Sequence, residues 1–328
     1  MTIKELAEKT HLSISTVSKA LNNQKDVSEE TRRLVLDAAK KFGYKTKEQK
    51  QIERDHHRFV VIHSNMGIVG TNSVLFPVTK SFTIEAKKYN TEVILYDITD
   101  DYDFDFNKFM KKGQYSGALI LGVNSLHPVM KQLNDTKYPI VLHDNTIVND
   151  LIGNIGTDNI TSLITTINYL HQNGHTKIAF VAGEKSSYVA TERSAGYLMG
   201  LRFNDLAYNP NLVYWGDFSK NTGIRAADFL DNKDFTAVVC SSDLIALGLM
   251  ERFKELGYKI PEDISITGFD NFELSSDTDP KLTTINQDFN KIGRDSYHLL
   301  TNLLLNKSPQ RIILPGDLII RDSVKTIE

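Results

Sequence analysis

Apolar residues recur at helical spacing three times within the first 45 residues. The three stripes are Ile3, Leu6 and Ala7, then Val17, Ala20 and Leu21, then Leu34, Val35, Ala38, Ala39 and Phe42. A residue that can cap a helix precedes each stripe, namely Thr2, Ser13 or Ser28, and Glu5 gives Thr2 the spacing of a capping box. Gly43 follows the third stripe and favours termination there. The pattern predicts three short helices around one small core.

The next segment is polar and has the composition of a linker. From Lys45 to Arg58 the sequence reads KTKEQKQIERDHHR, in which Ile52 is the only apolar residue. Lys, Glu and Gln are compatible with a helical linker. His56 and His57 are adjacent and would point apart on a helix, so we expect no metal site here.

From Phe59 onward, apolar runs of strand length alternate with amphipathic helical patterns. The predicted strands are FVVIHS, TEVILYDI, GALILGV, PIVLHD, KIAFVAG, LVYWGD, TAVVCSS and DISITGFD. The predicted helices lie near residues 77–90, 104–112, 127–134, 158–173, 191–204, 220–231 and 243–256. Such alternation is typical of parallel sheets covered on both faces. It predicts an α/β core of two doubly wound parallel-sheet lobes after the small all-α domain.

The amino-acid composition indicates which class of protein this is. The 328 residues are 41% hydrophobic and 24% charged, as in ordinary soluble globular proteins. We find neither a run of 18 apolar residues nor a signal-peptide pattern, so we expect a cytoplasmic protein without membrane contact. The single cysteine, Cys240, lies in the apolar run FTAVVCSSD and is expected to be a buried, unreactive thiol.

Charge is distributed unevenly along the chain. The formal net charge is −3, yet residues 1–58 carry 13 Lys and Arg against 9 Asp and Glu, whereas the remainder carries 25 against 32. A basic end on an acidic chain is a hint of nucleic-acid binding, although a solvated helical surface would carry the same charge.

Acids, amides and aromatic residues follow the predicted strands. They are Ser64 and Asn65, Asp144 and Asn145, Gly183 and Glu184, Asp217 and Phe218, Ser242 and Asp243, and Asp270 and Asn271. Ligands of open parallel sheets bind outside the carboxyl ends of the strands. Asp243 stands at the start of a helical pattern, so two roles remain alternatives for it, capping of that helix and contact with a ligand. No helical pattern directly follows Asp270, which favours ligand contact there.

The chain resembles the LacI/GalR family of bacterial transcription repressors over essentially its whole length. The motifs that carry the resemblance are TIKELAEKTHLSISTVSKALNN, VSEETRRLVLDAAKKFGY, GTDN, NGHTKIAFVAG, ERSAGY, SSDLIALGLMERFKELGYKIPEDISITGFDN and PKLTTINQDF. The resemblance implies a helix-turn-helix headpiece at 1–45, a hinge at 46–58 and an effector-binding and dimerisation core at 59–328. Within this core, it implies a first lobe at about 59–157 and 289–316 and a second lobe at about 158–288 and 317–328.

The same resemblance places a recognition helix in SISTVSKALNN, whose N-terminal side chains enter the major groove. Ile14, Ser15 and Lys19 then match base-reading positions, where Lys19 can donate to guanine. The other implied DNA contacts are Thr2, Ser13, Thr16, Ser18, Asn22 and Ile52.

Two positions depart from the family pattern. His11 stands where glycine is usual in the turn, and histidine is one of the residues that tolerate positive φ. In the hinge, Glu53 aligns with the leucine that wedges into the minor groove, and a glutamate cannot do so beside phosphates. Either Ile52 takes that role by a shift of one residue, or this protein bends DNA little.

The resemblance also implies effector contacts in the core. They are Asn65, Phe76, Asp144, Arg193, Phe218, Ser242, Asp270 and Phe289. Ser242 stands where several relatives have Asn, so amide-type recognition is not expected there. For Arg193, a structural ion pair with a neighbouring acid is the alternative role.

These features together predict a sequence-specific repressor that binds palindromic double-stranded operator DNA as a homodimer. We expect a dimer because no leucine-heptad helix follows RDSVKTIE. We expect a sugar or sugar phosphate as effector, without cofactor or metal; a purine-type corepressor or a phosphoprotein coregulator is the alternative. Two other classes of protein are the alternatives. One is an enzyme that uses Asp144 and Asp270 as paired carboxylates, and the other is a free solute-binding protein.

Overall fold

The computed structural model describes residues 1–21, 24, 26–44, 57–64 and 73–327, without the side chain of Lys40. It divides into two compact units. The smaller unit comprises Met1–His57 and Tyr89–Thr91, and the larger comprises Arg58–Lys88 and Glu92–Glu328.

The smaller unit contains the three predicted helices, which are α1 (Ile3–Thr10), α2 (Ile14–Leu21) and α3 (Glu29–Lys41). The predicted capping box is confirmed, because Thr2 Oγ1 accepts from Glu5 N while the Glu5 carboxylate accepts from Thr2 N. The hydroxyls of Ser13 and Ser28 also cap as predicted, accepting from the backbone of Thr16 and Thr31. The helices enclose a core of Leu6, Ala7, Val17, Ala20, Val27, Val35 and Ala39.

His11 ends α1 in the left-handed conformation, at φ 55° and ψ 33°. Its backbone N–H donates to the carbonyls of Ala7 and Glu8, which satisfies groups that the helix end would otherwise leave open. The prediction that histidine substitutes for glycine in this turn is therefore confirmed. Gly43, also at positive φ (65°), follows the end of α3.

The described part of the larger unit contains twelve strands and eight α-helices. The strands are β1 (Arg58–His63), β2 (Glu92–Asp97), β3 (Gly117–Leu121), β4 (Ile140–His143), β5 (Ile152–Thr157), β6 (Ile178–Ala182), β7 (Val213–Trp215), β8 (Ala237–Cys240), β9 (Ser265–Asp270), β10 (Thr283–Asn286), β11 (Arg311–Leu314) and β12 (Asp317–Ile319). The helices are α4 (Leu75–Lys87), α5 (Phe106–Gly113), α6 (Pro128–Gln132), α7 (Asn159–Gln172), α8 (Tyr188–Phe203), α9 (Lys220–Leu230), α10 (Asp243–Glu255) and α11 (Phe289–Asn306).

The strands form two six-stranded sheets, which we call lobe 1 and lobe 2. Lobe 1 has the strand order β11–β5–β4–β3–β1–β2, and every pairing in it is parallel. Lobe 2 has the order β12–β10–β9–β8–β6–β7, in which β12 runs antiparallel to β10 and the other pairings are parallel. These two sheets confirm the predicted fold class.

Both faces of each sheet are covered by helices. In lobe 1, α4 packs against α11, and Phe59, Phe82 and Tyr297 meet there with ring centroids 5.8–6.3 Å apart. In lobe 2, α7 pairs with α8 and α9 pairs with α10, each pair burying one apolar cluster. Cys240 is buried within the α9–α10 cluster, as predicted, and burial raises the pKa of its thiol.

The chain passes between the lobes three times, after β5, after β10 and after β11. Two of these crossovers touch where Thr157 Oγ1 donates to Gln287 Oε1 over 2.7 Å. The carboxyl ends of strands from both lobes therefore lie near the crossovers, where the predicted ligand residues are found. No helix in the described ranges is long and apolar enough to cross a membrane.

Candidate functional site

In the headpiece, α2 turns one apolar side to the core and its polar side outward. Val17 and Ala20 are buried, whereas Ile14 is 44% exposed. Ser15 and Lys19 are four residues apart, so they share one face of the helix. The arrangement gives the predicted base-reading residues a common outward surface.

Several predicted DNA contacts already hold partners within the headpiece. The Ser13 hydroxyl accepts from Thr16 N and lies 2.8 Å from Thr16 Oγ1, so both side chains are fixed at the start of α2. Thr2 is fixed in its capping box. Ser18 is half-buried on α2. Asn22 and Ile52 lie outside the described residues.

Lys19 forms an ion pair with Asp26, a partner that the sequence reasoning missed. The pair is largely open to solvent, with side chains 43% and 54% exposed. The hydrogen bond from Lys19 is the main cause that lowers the pKa of Asp26. The only signal in the sequence is an acid seven residues after Lys19, in the turn that precedes α3.

The predicted ligand residues of the core come from both lobes. Asp144 directly follows β4 in lobe 1, whereas Arg193 on α8 and Asp270 at the end of β9 belong to lobe 2. Both acids have positive φ, 52° and 118°, an uncommon and costly conformation for a residue with a side chain. Both acids thus hold an unusual backbone conformation at the end of a strand.

Arg193 is held on several sides within lobe 2. Its Nε donates to Asn159 Oδ1 over 2.8 Å and its Nη1 donates to the Ser241 carbonyl over 2.5 Å. Its guanidinium carbon lies 3.7 Å from the centroid of the Phe269 ring. Burial lowers the pKa of Arg193, and Asp270 is the main group that opposes this effect. These contacts set the orientation of the Arg193 side chain in the structure.

Asp270 lies beside Arg193, with 3.9 Å between Oδ1 and Nη1. Gln287 Nε2 donates to the same carboxylate over 2.7 Å. Burial raises the pKa of Asp270 to about 7, although Arg193 and Gln287 act in the opposite direction and Asp144 adds to the rise. Arg193 therefore forms a long ion pair with Asp270, which is the alternative role predicted for it. This ion pair leaves both side chains able to form further hydrogen bonds.

Ser242 and Asp243 have internal roles at the start of α10. The Ser242 hydroxyl accepts from Ile245 N and caps the helix. Asp243 is buried, and it accepts from Thr284 Oγ1 over 2.5 Å and from Phe272 N over 2.8 Å. The capping role considered for Asp243 therefore falls to Ser242.

One hydroxyl near Arg193 was missed by sequence reasoning. The Oγ atom of Ser241 is buried and has no hydrogen-bond partner in the described part of the chain. The sequence places Ser241 directly after β8, next to the predicted effector contact Ser242, and this position is its only signal.

The aromatic candidates lie in different settings. Phe218 covers Gly183, where a Cβ atom would come within 2.3 Å of the ring. Phe289, on α11, stacks on Phe272 of lobe 2 with centroids 5.9 Å apart. Phe76 is 42% exposed on α4. Asn65 lies outside the described residues.

Two polar bridges join the lobes beside this site. Asn124, after β3, donates to Glu184 Oε1 over 2.9 Å and to Ser186 Oγ over 2.6 Å. Arg311, on β11, lies 3.2 Å from Tyr188 Oη and 3.6 Å from Glu192 Oε1, both on α8. A small cavity between the lobes is lined by Asp144, Asn145, Asn154, Ile155, Gly156, Thr157, Tyr188, Glu192, Arg311 and Ile313. In the described ranges, no group of three or more His, Cys, Asp or Glu residues could hold a metal ion.

Comparison with known proteins places this architecture in a family. Residues 2–47 match the model for bacterial regulatory proteins of the lacI family, and residues 167–324 match a periplasmic binding protein-like domain. The HTH-type transcriptional repressor CytR of Escherichia coli K12 is 30% identical over 336 residues, which cover 99% of this chain and 97% of CytR. The chain belongs to the lacI family of bacterial regulatory proteins.

Other members of the lacI family show the same full-length match. The HTH-type transcriptional repressor PurR of Vibrio vulnificus is 27% identical over 334 residues, 99% of each chain. Among solved structures, a complex of the transcriptional regulator CelR with cellobiose has a TM-score of 0.75 at 23% identity and covers 98% of this chain and 99% of CelR. That likeness shows the shared fold of headpiece and core.

Proposed function

We propose that this lacI-family chain is a sequence-specific repressor whose affinity for operator DNA is controlled by a small polyhydroxylated ligand, a sugar or sugar phosphate. The ligand would bind at the strand ends between lobe 1 and lobe 2. The observation that carries the ligand part of the proposal is the buried pair of Arg193 and Asp270, whose hydrogen-bonding groups are only partly used by the protein.

The DNA part rests on the exposed face of α2. Ile14 offers an apolar contact for a thymine methyl, Ser15 a hydroxyl and Lys19 a cation for guanine. Ser13 and Thr16 stand at the N-terminus of α2, where phosphate contacts fix register without reading sequence. One headpiece buries only about 600–1,000 Å² on DNA, so specific repression needs two headpieces and a palindromic site. The proposal therefore includes a homodimer.

The chemistry of the core favours hydroxyl groups as ligand. Carboxylates such as Asp144 and Asp270 accept hydrogen bonds from hydroxyls, and the guanidinium of Arg193 donates two in a fork. The ring of Phe218 lies 5.9 Å from the Arg193 guanidinium carbon and offers an apolar face for a sugar ring. The Arg193 guanidinium thus lies close both to the Asp270 carboxylate and to the Phe218 ring.

Control of DNA binding would pass from the ligand through the angle between the lobes. A coupling free energy of about 1–3 kcal/mol changes operator affinity roughly 5- to 150-fold. The proposal also places the protein in the cytoplasm and gives it no catalytic role. Turnover of candidate sugars by the purified protein would contradict that last point.

The experiment is a thermal stabilisation screen with mono- and disaccharides, sugar phosphates, nucleosides and purines. A ligand at 100 times its dissociation constant stabilises a protein by about 2.7 kcal/mol, which such a screen detects. A sugar or sugar phosphate that stabilises the native chain but not Asp270→Ala supports the proposal. Stabilisation by a purine alone, or equal stabilisation of both proteins, contradicts the proposed ligand class or site.

A further inference from the structure

Arg311, Tyr188 and Glu192 form a bridge between the two lobes that the ligand site does not account for. Arg311 belongs to β11 of lobe 1, whereas Tyr188 and Glu192 lie one turn apart on α8 of lobe 2. Burial and a hydrogen bond to Glu192 raise the pKa of Tyr188 to about 12. The hydroxyl of Tyr188 therefore stays protonated, and it accepts a hydrogen bond from Arg311 Nη2 over 3.2 Å.

Glu192 continues this bridge into lobe 2 through its second carboxylate oxygen. Its Oε2 accepts from Asn159 Nδ2 over 2.9 Å, and Asn159 Oδ1 accepts in turn from Arg193 Nε over 2.8 Å. Asn159 is almost fully buried and also donates to the Thr157 carbonyl over 3.1 Å, so its amide has one orientation. A continuous chain of polar contacts thus runs from Arg311 on one lobe to Arg193 at the ligand site of the other.

We propose that Glu192 is a positioning residue that couples closure of the two lobes to the placement of the Arg193 guanidinium. When Arg311 is docked, it fixes the carboxylate of Glu192, which fixes Asn159 and so directs Arg193 toward Asp270. When the lobes separate, Glu192 loses Arg311, and it can turn to solvent because it stands at the cleft edge with 18% of its side chain exposed. The inference rests on the proposed function, since it names how the ligand site senses lobe closure.

An ordinary exposed ion pair would have no such effect. Pairs at a protein surface contribute little, and Arg311 is 53% exposed. The distinguishing consequence of the proposal is that removal of Arg311, on lobe 1, changes the environment of Asp270, on lobe 2. Asp270 is faced by Arg193, Gln287, Asp144 and Asp243, and Arg193 is the group in this set that most opposes the rise of its pKa.

The test uses the full chain with Arg311→Ala and, as a control, Arg202→Ala, which removes an exposed arginine from the last turn of α8. Spin labels at Val148→Cys on lobe 1 and Ala207→Cys on lobe 2 report the distance between the lobes. Cys240 is buried, so it does not compete for the label. The second readout is the pKa of Asp270, obtained from the pH dependence of the stability difference between each protein and its Asp270→Asn counterpart.

We expect Arg311→Ala to lengthen the distance between the labels and to change the pKa of Asp270, because Arg193, burial and the lobe 1 residue Asp144 all act on it. Arg202→Ala is expected to change neither. Unchanged distances in Arg311→Ala overturn the inference, and so does a longer distance without a change of the Asp270 pKa. Neither readout uses DNA or effector, so a failure of operator binding in the native chain would reject the proposed function through a separate experiment.

Discussion

The Nη1 atom of Arg193 lies 3.9 Å from Oδ1 of Asp270, and both side chains are almost completely buried. Burying a carboxyl group and a guanidinium is costly, and their long separation recovers less of that cost than a direct bidentate pair would. The arrangement is a poor choice for stability alone. It fits a site in which a ligand supplies the remaining hydrogen bonds.

The first prediction concerns ligand control. Asp270→Ala is expected to abolish the response of DNA binding to effector while operator affinity without effector stays within about twofold, because the headpiece has its own core. Fluorescence anisotropy with a labelled operator measures both quantities. Asp103→Ala, at an exposed site between β2 and α5, is the matched control. If Asp270→Ala combined with Arg193→Ala still responds normally, the ligand site lies elsewhere.

The second prediction concerns pH. The folded-state pKa of Asp270, about 7, exceeds the ordinary value for an aspartate, so the folded chain holds this proton more tightly than the unfolded chain. Its contribution to stability is therefore fully present below about pH 4 and is lost as pH rises to about 7, by at most about 1.4 kcal/mol per pH unit. Above that pH the contribution is constant.

Denaturant unfolding measures this effect through Trp215, the single tryptophan, which lies in lobe 2. The native chain is compared with Asp270→Asn at each pH from 4 to 8. The stability advantage of the native chain over the variant is expected to shrink across this range. A difference that is independent of pH would mean that Asp270 is charged throughout, as an exposed aspartate would be.

The third prediction concerns base reading. If Lys19 contacts guanine, Lys19→Ala weakens operator binding by about 1–3 kcal/mol and affects a scrambled duplex much less. Equal weakening on both duplexes, with a shallower dependence on salt, would instead identify a phosphate contact.

The fourth prediction concerns the partner of Lys19. Asp26 holds the Lys19 ammonium in the free headpiece and carries a negative charge toward the surface that α2 presents. Asp26→Asn is expected to tighten binding to operator and scrambled duplexes alike, with a steeper salt dependence, because it removes a competitor of the phosphates. Titrations at several salt concentrations test this. Weaker binding would show that Asp26 aids DNA binding by orienting Lys19, and unchanged binding would show that it does not compete with the phosphates.

The fifth prediction concerns the turn at His11. The backbone of His11 is left-handed, which destabilises a residue with a side chain by about 1 kcal/mol relative to glycine. His11→Gly is expected to slow amide exchange in α1 and α2 relative to the native chain, whereas His11→Ala is not. Faster exchange in both variants than in the native chain would mean that the imidazole itself stabilises the turn.

The fold was predictable where local pattern and tertiary structure agree. The eight predicted strands are all present. Six of them have apolar runs that are largely buried in the parallel sheets, whereas β2 and β7 lie at sheet edges and are only partly buried. Four strands were missed. β5 reads IGNIGT, where glycine and asparagine disfavour a strand, and β10, β11 and β12 have only three or four residues. Helix α11 was also missed, and its sequence carries polar residues throughout its first turns.

The site was only partly predictable, for physical reasons that particular residues illustrate. Asp144, Arg193 and Asp270 were found from the strand ends and the family pattern. Ser242 shows the limit, because a serine before a helix fits a cap and a ligand contact equally well, and only the structure shows its bond to Ile245 N. The pairing of Glu192 with Arg311 joins positions more than 100 residues apart, and no local pattern in the sequence reports it.

The most direct test of the central claim is selection of a random duplex library on the purified chain, followed by titration of the selected duplex with and without the compound found in the stabilisation screen. The account predicts a palindromic sequence whose affinity changes about 5- to 150-fold with that compound in the native chain and not in Asp270→Ala. Enrichment of no palindromic sequence would contradict the repressor, and an equal response in Asp270→Ala would contradict the ligand site.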